Sequence, residues 1–443
     1  MFLRSVHVKN LRSLRSAELS FRDEDGEGRK WTLLIGENGT GKSTLLRALG
    51  LAMVGSEALP EILGDPSAWV RHGAKQAEIE VELATAEGDP RTIGLTIKPD
   101  DGIPSLLRRN ARSLAQLDRA LKHTARSYLT VGYGVSRRLE SAPKSTIEES
   151  LRHPRARALA TLFRADQRLH SVQTWAMDLE YRHGEGSIGI LHDALDELLP
   201  GMRFAKIDRQ SRRLLFTTPD GLVPLENLSD GYQSVAAWIG DLLHRITETF
   251  EDYRRPLEAR GVLLIDELEL HLHPIWQRRL RTFLSEKLPN FQIIATTHAA
   301  LTAQQAGQGE LFYLRRQGKK AEPKLEAFAG DPQKLMLHQL LLSDVFGLPS
   351  LNSPQIEAQR ERYRVLRAKR SHSAAEKREM NDIAAVLEVV PDWSRENQTD
   401  LELVGLLRSV KQQLSNGSSN GNGSESAAPT AKRAKRSRKP STR

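Results

Sequence analysis

Hydrophobic and polar residues alternate along much of the first hundred residues, and this pattern predicts strands. Phe2, Val6 and Val8 fall on one face, as do the apolar positions at 79–83 and 93–97. A period of two residues is typical of a strand buried on one side. The connection at 84–91 contains a glycine and a proline, so the two later strands are predicted to form a hairpin.

Three mainly hydrophobic runs lie at 31–35, 262–265 and 291–295, with Thr32 and Gln292 as their polar residues. Runs of this length predict strands that are buried on both faces, as in a parallel sheet covered by helices. Between them, Leu114, Leu117 and Leu121 recur at helical spacing and are most simply core positions. The chain is therefore predicted to have an α/β fold.

The same patterns divide the chain into five predicted segments. Residues 1–100 form an N-terminal lobe, 101–200 a mainly helical insertion and 201–346 a C-terminal lobe. Residues 347–414 form a charged helical extension, and 415–443 a disordered basic tail.

The formal net charge of +9 is concentrated in the tail, where residues 415–443 carry seven lysines or arginines and one glutamate. The absence of cysteine excludes disulfides and thiolate chemistry. No apolar run reaches the length of about 18 residues that a membrane span needs, and the N-terminus lacks the apolar core of a signal peptide. We expect a cytoplasmic protein without a membrane partner.

The first buried run leads directly into a glycine-rich loop that precedes a helical pattern. The loop consists of Gly36, Glu37, Asn38, Gly39, Thr40, Gly41, Lys42, Ser43 and Thr44. Glycines let backbone N–H groups converge on phosphate oxygens at a helix N-terminus. This P-loop predicts ATP as the ligand, with Lys42 on the β- and γ-phosphates and Ser43 on Mg²⁺.

The second and third buried runs each end in polar residues. Asp266 and Glu267 follow one run, and His298 follows the other. Parallel strands bring their carboxyl ends to one edge, so these side chains are predicted to lie beside the P-loop. We predict that Asp266 holds Mg²⁺ through water, that Glu267 orients the attacking water and that His298 senses the γ-phosphate.

Residues 228–234, Leu-Ser-Asp-Gly-Tyr-Gln-Ser, precede an apolar helical stretch and resemble the signature motif of ABC ATPases. In that superfamily the signature serine and glycine cap the γ-phosphate that the other subunit binds. The resemblance implies that Ser229 and Gly231 contribute to ATP binding in a homodimer or a higher oligomer. Without this resemblance, Ser229 is an ordinary helix N-cap.

The segment 266–274 resembles the RecF/OLD-like group of soluble ABC ATPases (AAA_21/AAA_15), and so does the segment 8–14. The resemblance implies an ABC ATPase head with a P-loop core sheet, an antiparallel β subdomain, a helical insertion and a C-terminal helical extension. It places Arg12 near the nucleotide. His271 and His273 either form a metal site or, as Pro274 favours, lie in a loop between subunits.

Within this group, residues 128–137, the signature and residues 342–348 resemble the ATPases of Septu-type and retron-associated anti-phage systems. This implies a sensor or regulatory ATPase that works with a separate nuclease, such as an HNH effector. The alternative is a RecF-like repair ATPase that clamps DNA. A transporter head is disfavoured by the signature and by residues 271–274.

Some features of related ATPases are missing from the sequence. A Q-loop glutamine is expected after a strand near Val131, where Gly132, Tyr133 and Gly134 stand, and Gln76 is a poor substitute. Fewer than 190 residues separate Lys42 from Ser229, too few for long coiled-coil arms. No TOPRIM or HNH motif is present, so we expect no nuclease site in this chain.

Basic residues outside the nucleotide motifs suggest contact with nucleic acid. Arg360, Arg364 and Arg367 share one predicted helix face and would track phosphates. Alternatively, they form the solvated face of a helical hairpin whose hydrophobic residues (Ile356, Tyr363 and Leu366) pack inward. Arg137 and Arg138 are open to the same two interpretations. The basic cluster at 432–439 would hold DNA or RNA loosely, act as a nuclear signal in a eukaryote or keep the tail soluble.

Overall fold

A computed structural model describes residues 2–23, 25–84, 90–121, 129–137, 151–183, 189, 192–193, 196, 202–250, 256–316, 318 and 321–390. The chain divides into two compact units, Met1–Leu351 and Asn352–Arg443. The predicted hairpin connection at 85–89, Arg138 and the predicted tail lie outside the described residues.

The described elements of the first unit are strands interspersed with helices. The strands are β1 Phe2–Leu11, β2 Leu14–Ser20, β3 Trp31–Gly36, β4 Ala77–Ala84, β5 Pro90–Ile97, β6 Leu129–Tyr133, β7 Arg203–Asp208, β8 Arg213–Thr218, β9 Gly221–Pro224, β10 Gly261–Ile265, β11 Phe291–Thr297, β12 Leu311–Arg316 and β13 Pro323–Ala327. The helices are α1 Lys42–Met53, α2 Leu59–Leu63, α3 Ile103–Arg109, α4 Ala111–Leu121, α5 Pro154–Phe163, α6 Val172–His183, α7 Asp230–Thr249, α8 Pro274–Lys287, α9 Ala300–Ala303 and α10 Leu337–Leu342.

A six-stranded central sheet has the order β13-β12-β3-β11-β10-β6. Its strands are parallel except β13, which runs antiparallel to β12. The three hydrophobic runs of the sequence are β3, β10 and β11, which are buried along their lengths. The predicted α/β class is confirmed, and the segment predicted to be mainly helical also supplies the edge strand β6.

Hydrophobic cores cover both faces of the central sheet. Leu33 and Ile35 of β3 belong to one core, whereas Leu34 belongs to the other. Because successive strand residues point to opposite faces, a mainly apolar run serves both cores at once. The predicted core residues Leu114 and Leu117 of α4 are buried in the second core.

Two antiparallel sheets complete the first unit. One has the order β2-β1-β4-β5 and contains the predicted β4–β5 hairpin, and the other has the order β7-β8-β9. Within the described residues, no helix is long and apolar enough to span a membrane.

A buried polar network joins β6 to α7. The Tyr133 hydroxyl donates to Asp241 Oδ2 at 2.9 Å, and the His170 backbone N–H donates to Asp241 Oδ1 at 2.9 Å. Arg245 lies 3.3 Å from the same Oδ1. Asp241 is 3% exposed, and these donors compensate for the loss of hydration of its charge.

His244, the neighbour of Arg245 in α7, stacks on the ring of His170 with centroids 4.0 Å apart. Burial, together with the nearby His170, Arg245 and Arg157, lowers the pKa of His244 from 6.5 to about 3. The unfolded chain therefore takes up a proton at His244 over a pH range in which the folded chain does not.

We expect acidification to destabilise the fold through His244. The free energy of unfolding falls as the pH drops from 6.5 toward 3, because His244 becomes protonated only in the unfolded chain. The decrease amounts to up to about 2 kcal/mol between pH 6.5 and 5. Urea unfolding of His244→Gln across this range should show a shallower loss of stability than wild type. His72→Gln, a change at an exposed position, should keep the wild-type slope; equal slopes for all three proteins would contradict the assignment to His244.

The second unit contains a helical hairpin of α11 Pro354–Arg367 and α12 Ala374–Val389. Arg362 of α11 pairs with Glu379 of α12 at 2.7 Å. Leu366 is buried, whereas Arg364 and Arg367 are exposed. The helical hairpin that was one of the two interpretations of this segment is therefore present. Its exposed arginines, Arg364 and Arg367, are also compatible with the other interpretation, which is phosphate binding.

Candidate functional site

The ends of four parallel strands meet at one edge of the central sheet. Ile265 of β10 pairs with Ala295 of β11 and Tyr133 of β6, and Thr297 of β11 pairs with Ile35 of β3. The P-loop follows β3, Asp266 and Glu267 follow β10, and His298 follows β11. The segment that follows β6 leads to Arg137. The register of the sheet therefore assembles most of the predicted site residues from distant parts of the chain.

The P-loop lies between β3 and α1, with its lysine folded over its own backbone. Lys42 Nζ donates to the carbonyls of Gly36 at 2.7 Å and Glu37 at 3.1 Å. Arg316 of β12 donates to Gly39 at 3.3 Å and steadies the loop from the other side. Thr40, Lys42 and Thr44 are buried, Gly36, Gly41 and Ser43 are partly exposed, and Glu37, Asn38 and Gly39 are exposed.

The charge of Lys42 is balanced by the acidic segment after β10. Burial lowers the pKa of Lys42, and the carboxylates of Asp266, Glu267 and Glu269 oppose this shift. Coulomb interactions of this kind fall off with distance, so the P-loop and the acidic segment form one electrostatic site.

The turn between β1 and β2 packs against the P-loop. A β-carbon at Gly41, which has φ of 110°, would lie 2.8 Å from Leu14 Cδ2 and 3.0 Å from Ser13 Oγ. Arg12, in the same turn, donates from Nε to Ala68 O at 3.0 Å and lies over the ring of Trp69 at 4.2 Å. The turn is thus adjacent to the P-loop, while the described contacts of the Arg12 guanidinium are with Ala68 and Trp69.

Thr296 of β11 ties together the two carboxylate-bearing residues. Its hydroxyl donates to Asp266 Oδ1 at 2.6 Å and accepts from the Glu267 backbone N–H at 2.7 Å. Asp266 is 3% exposed and Glu267 is partly exposed. The sheet therefore holds Asp266 rigidly, whereas Glu267 remains partly accessible to solvent at the sheet edge.

Glu269 fixes the segment that carries His298, a contact not predicted from sequence. Its Oε1 accepts from the backbone N–H groups of His298 at 2.7 Å and Ala299 at 3.0 Å. The imidazole of His298 is exposed at the sheet edge. A glutamate two residues after the Asp-Glu pair was the only sequence signal for this contact.

Arg137 occupies the interior of the site. It is 4% exposed, and its guanidinium donates to the carbonyl groups of Asp266, Glu267 and Leu268. A residue this buried is not available to DNA phosphates, so the interpretation of Arg137 as a nucleic-acid contact is wrong. The sequence shows an arginine after a glycine-rich strand end, but not the carbonyls that it meets.

The signature residues begin α7 on the surface of the chain. Ser229 is exposed at the N-cap position, and its hydroxyl makes no capping hydrogen bond to the helix. A β-carbon at Gly231 would lie 2.7 Å from the carbonyl oxygen of His271, so only glycine fits there. The signature thus packs directly on the loop that follows the Asp-Glu pair.

The two histidines of that loop have separate roles in the described structure. His271 has a left-handed backbone with φ of 65°, and His273 is the N-cap of α8, accepting from Ile275 N–H at 3.4 Å. No cluster of three or more His, Asp or Glu side chains suited to a metal ion occurs in the described part of the chain. His273 thus serves to cap a helix, and the interpretation of this segment as a loop between subunits stays a prediction.

The missing Q-loop glutamine has a steric explanation. A β-carbon at Gly134 would collide with the carbonyl oxygen of Thr161 in α5. The helix therefore approaches the end of β6 too closely for any side chain at this position. Gln76 precedes β4, which belongs to the sheet β2-β1-β4-β5, and donates to Glu78 at 2.6 Å.

Comparison with known proteins gives one family match and several relatives. The family model described as "AAA domain, putative AbiEii toxin, Type IV TA system" matches residues 32–302. The chain is 26% identical over 388 residues to the Septu protein PtuA of Bacillus mycoides (strain KBAB4), which covers 86% of this chain and 50% of that protein. It is 29% identical over 144 residues to "Retron Ec83 probable ATPase" of Escherichia coli, which covers 32% of this chain and 27% of that protein.

Among solved structures, the SMC head bound to the C-winged helix domain of ScpA matches with a TM-score of 0.45 and 13% identity. This match covers 74% of this chain and 98% of the SMC head. The chain spans about half or less of the length of the two curated relatives.

Proposed function

Since the chain belongs to the family described as "AAA domain, putative AbiEii toxin, Type IV TA system", we propose that it is an ABC-type ATPase that binds and hydrolyses ATP between two subunits. We further propose that it serves as the sensor or regulatory ATPase of an anti-phage defence system and acts with a separate nuclease. The observation that carries the ATPase proposal is the convergence of the P-loop, Asp266, Glu267 and His298 at one sheet edge.

The P-loop fits the triphosphate of ATP. Lys42 lies against the carbonyls of Gly36 and Glu37, and α1 begins at Lys42 without a side-chain cap. The N–H groups of the first helical turn and the lysine charge both favour a bound phosphate. Mg²⁺ fits the oxygen donors of Ser43 and Asp266, because hydroxyl and carboxylate oxygens suit a hard cation.

Glu267 is the residue that we assign to the attacking water. A carboxylate can accept a hydrogen bond from water and polarise it, which contributes about 10²- to 10⁴-fold to rate in general acid–base catalysis. His298, exposed at the same edge, would donate to the γ-phosphate. The placement of Arg12 on Ala68 and Trp69 supports only an indirect role, in which the turn supports the P-loop at Gly41.

A second subunit would complete the site through the signature. The N-terminus of the 20-residue helix α7 carries positive potential, and the exposed Ser229 hydroxyl is not used to cap it. These groups suit a γ-phosphate presented by another copy of the chain. This arrangement supports the proposed homodimer.

The defence role rests on the kind of relatives the chain has. They include a Septu protein and a retron ATPase, which agrees with the resemblance of the sequence motifs to Septu-type and retron-associated systems. The carboxylates at the sheet edge are committed to nucleotide chemistry, so DNA cleavage is assigned to a partner such as an HNH nuclease. Nucleic acid would contact exposed arginines such as Arg364 and Arg367.

Ser229→Arg tests the two-subunit site. The bulky cation would occupy the position of the γ-phosphate contact, so ATP should still bind each P-loop while turnover falls about 100-fold. Sizing chromatography with ATP and Mg²⁺ should show a monomer. Nucleotide binding is measured by equilibrium dialysis, and turnover by phosphate release.

Ser211→Arg serves as the matched control, because Ser211 is exposed between β7 and β8. It should hydrolyse ATP at the wild-type rate and form the wild-type oligomer. Normal turnover by the Ser229→Arg variant would refute the two-subunit site while leaving the P-loop assignment intact.

A further inference from the structure

Arg137 binds three successive carbonyls of the segment that carries the catalytic carboxylates. It donates to Asp266 O, to Glu267 O at 2.6 Å and to Leu268 O at 3.4 Å. Its Nε also donates to Gly134 O at 3.1 Å, which anchors the guanidinium to the end of β6. The planar fork of arginine makes several such bonds at once, and lysine cannot reproduce them.

The backbone at this segment needs such support. Glu267 has φ of 50°, in the left-handed region that non-glycine residues adopt at a cost of about 1 kcal/mol or more. Thr296 accepts from the Glu267 N–H on one side, and Arg137 takes up its carbonyl on the other. The two contacts fix the peptide groups on both sides of the Glu267 α-carbon and hence the direction of its side chain.

The same guanidinium touches the signature helix. Arg137 Cζ lies 6.0 Å from the ring centroid of Trp238, a fully buried residue of α7. Trp238 also contacts Tyr133 with ring centroids 5.7 Å apart. A displacement of α7 would therefore press on the residue that holds the Glu267 turn.

We infer that Arg137 is a positioning residue for ATP hydrolysis: it holds the left-handed turn that aims Glu267 and couples this turn to the signature helix through Trp238. The inference rests on the proposed ATPase function. The described hydrogen bonds of Arg137 go to backbone carbonyls and not to P-loop residues. We therefore expect its replacement to leave ATP binding at the P-loop largely unchanged. Burial lowers the pKa of Arg137 to about 10, which leaves it protonated at neutral pH.

Arg137→Lys is the first test. It retains the charge but loses the fork, so kcat should fall about 30- to 100-fold, as expected when a catalytic group is displaced by a fraction of an ångström. The affinity for ATP, measured with Mg²⁺ by equilibrium dialysis, should change less than about 3-fold, because the loss lies in the chemical step. This split between kcat and binding is not the signature of general unfolding.

Arg281→Lys is a matched control. Arg281 also lies over a tryptophan, 5.7 Å from the ring of Trp31, and it pairs with Glu310 at 2.8 Å. It makes no described hydrogen bond or ion pair with residues 266–268, so this variant should retain wild-type kcat. Thermal unfolding of both variants reports any loss of stability separately.

Arg137→Ala provides a second, independent measurement. Guanidinium chloride, added well below concentrations that unfold the protein, should enter the space left by the side chain and restore part of kcat, whereas ammonium chloride at equal ionic strength should not. Wild-type kcat in Arg137→Lys would overturn the inference, as would equal losses of ATP affinity and kcat without guanidinium rescue. A wild-type chain without ATPase activity would instead remove the proposed function, and this inference with it.

Discussion

Lys42→Ala is expected to weaken ATP binding about 10- to 100-fold and to reduce hydrolysis to background. The lysine makes charge-assisted contacts that are worth about 1.5–3 kcal/mol when the partner is a phosphate. In the described structure Lys42 also faces Asp266, Glu267 and Glu269. Its removal leaves these carboxylates without the lysine charge, so repulsion of the triphosphate adds to the loss. Equilibrium dialysis with Mg²⁺ and phosphate release measure the two effects.

Lys334→Ala is the control for this variant, because Lys334 is an exposed lysine outside the sheet edge. Its ATP affinity and turnover should equal those of wild type. Lys42→Met, which restores most of the buried volume, should behave like Lys42→Ala. Near-normal turnover in either Lys42 variant would contradict the P-loop assignment.

Glu267→Gln should lower kcat about 10²- to 10³-fold while ATP binding persists, because the amide keeps the shape of the side chain but cannot polarise water as a carboxylate does. The strained φ of 50° is unchanged, since glutamine and glutamate place the same demands on the backbone. With hydrolysis blocked, ATP should hold two subunits together. Sizing chromatography should show a dimer that dissociates slowly.

Glu286→Gln, at an exposed position of α8, tests the general effect of removing a carboxylate. It should hydrolyse ATP normally and should not accumulate a dimer. If Glu267→Gln turns over ATP as wild type does, the water-positioning role belongs to another group.

The main features of the fold and site could be predicted because they are encoded locally. Each of the hydrophobic runs at 31–35, 262–265 and 291–295 is a central strand, and each leads into the residues assigned to chemistry. Parallel pairing of these strands then brings the residues that follow them to one edge of the sheet, so their proximity could be predicted from the sequence. The resemblance to the AAA_21 group, inferred from residues 266–274 and 8–14, is confirmed by the family match.

The parts that escaped prediction depend on contacts between distant segments. Arg137 lies about 130 residues from the carbonyls that it binds, and its burial has no local signal. Gly134 is explained only by the backbone of α5 against it, a contact that neither propensity nor periodicity describes. In the sequence, Glu269 resembles a surface charge. In the structure it accepts hydrogen bonds from the backbone N–H groups of His298 and Ala299, in the segment that follows β11.

The close packing of Gly231 on the His271 carbonyl has a consequence for the timing of hydrolysis. In the proposed dimer, the loop at His271 follows a subunit's own catalytic carboxylates, while Gly231 faces the nucleotide held by its neighbour. If cleavage of one ATP moves this loop, the movement would displace Gly231, because the two backbones are in close contact. The displacement would then alter the site of the other ATP. We therefore expect the two ATP molecules of a dimer to be cleaved cooperatively, with a sigmoidal dependence of rate on ATP concentration.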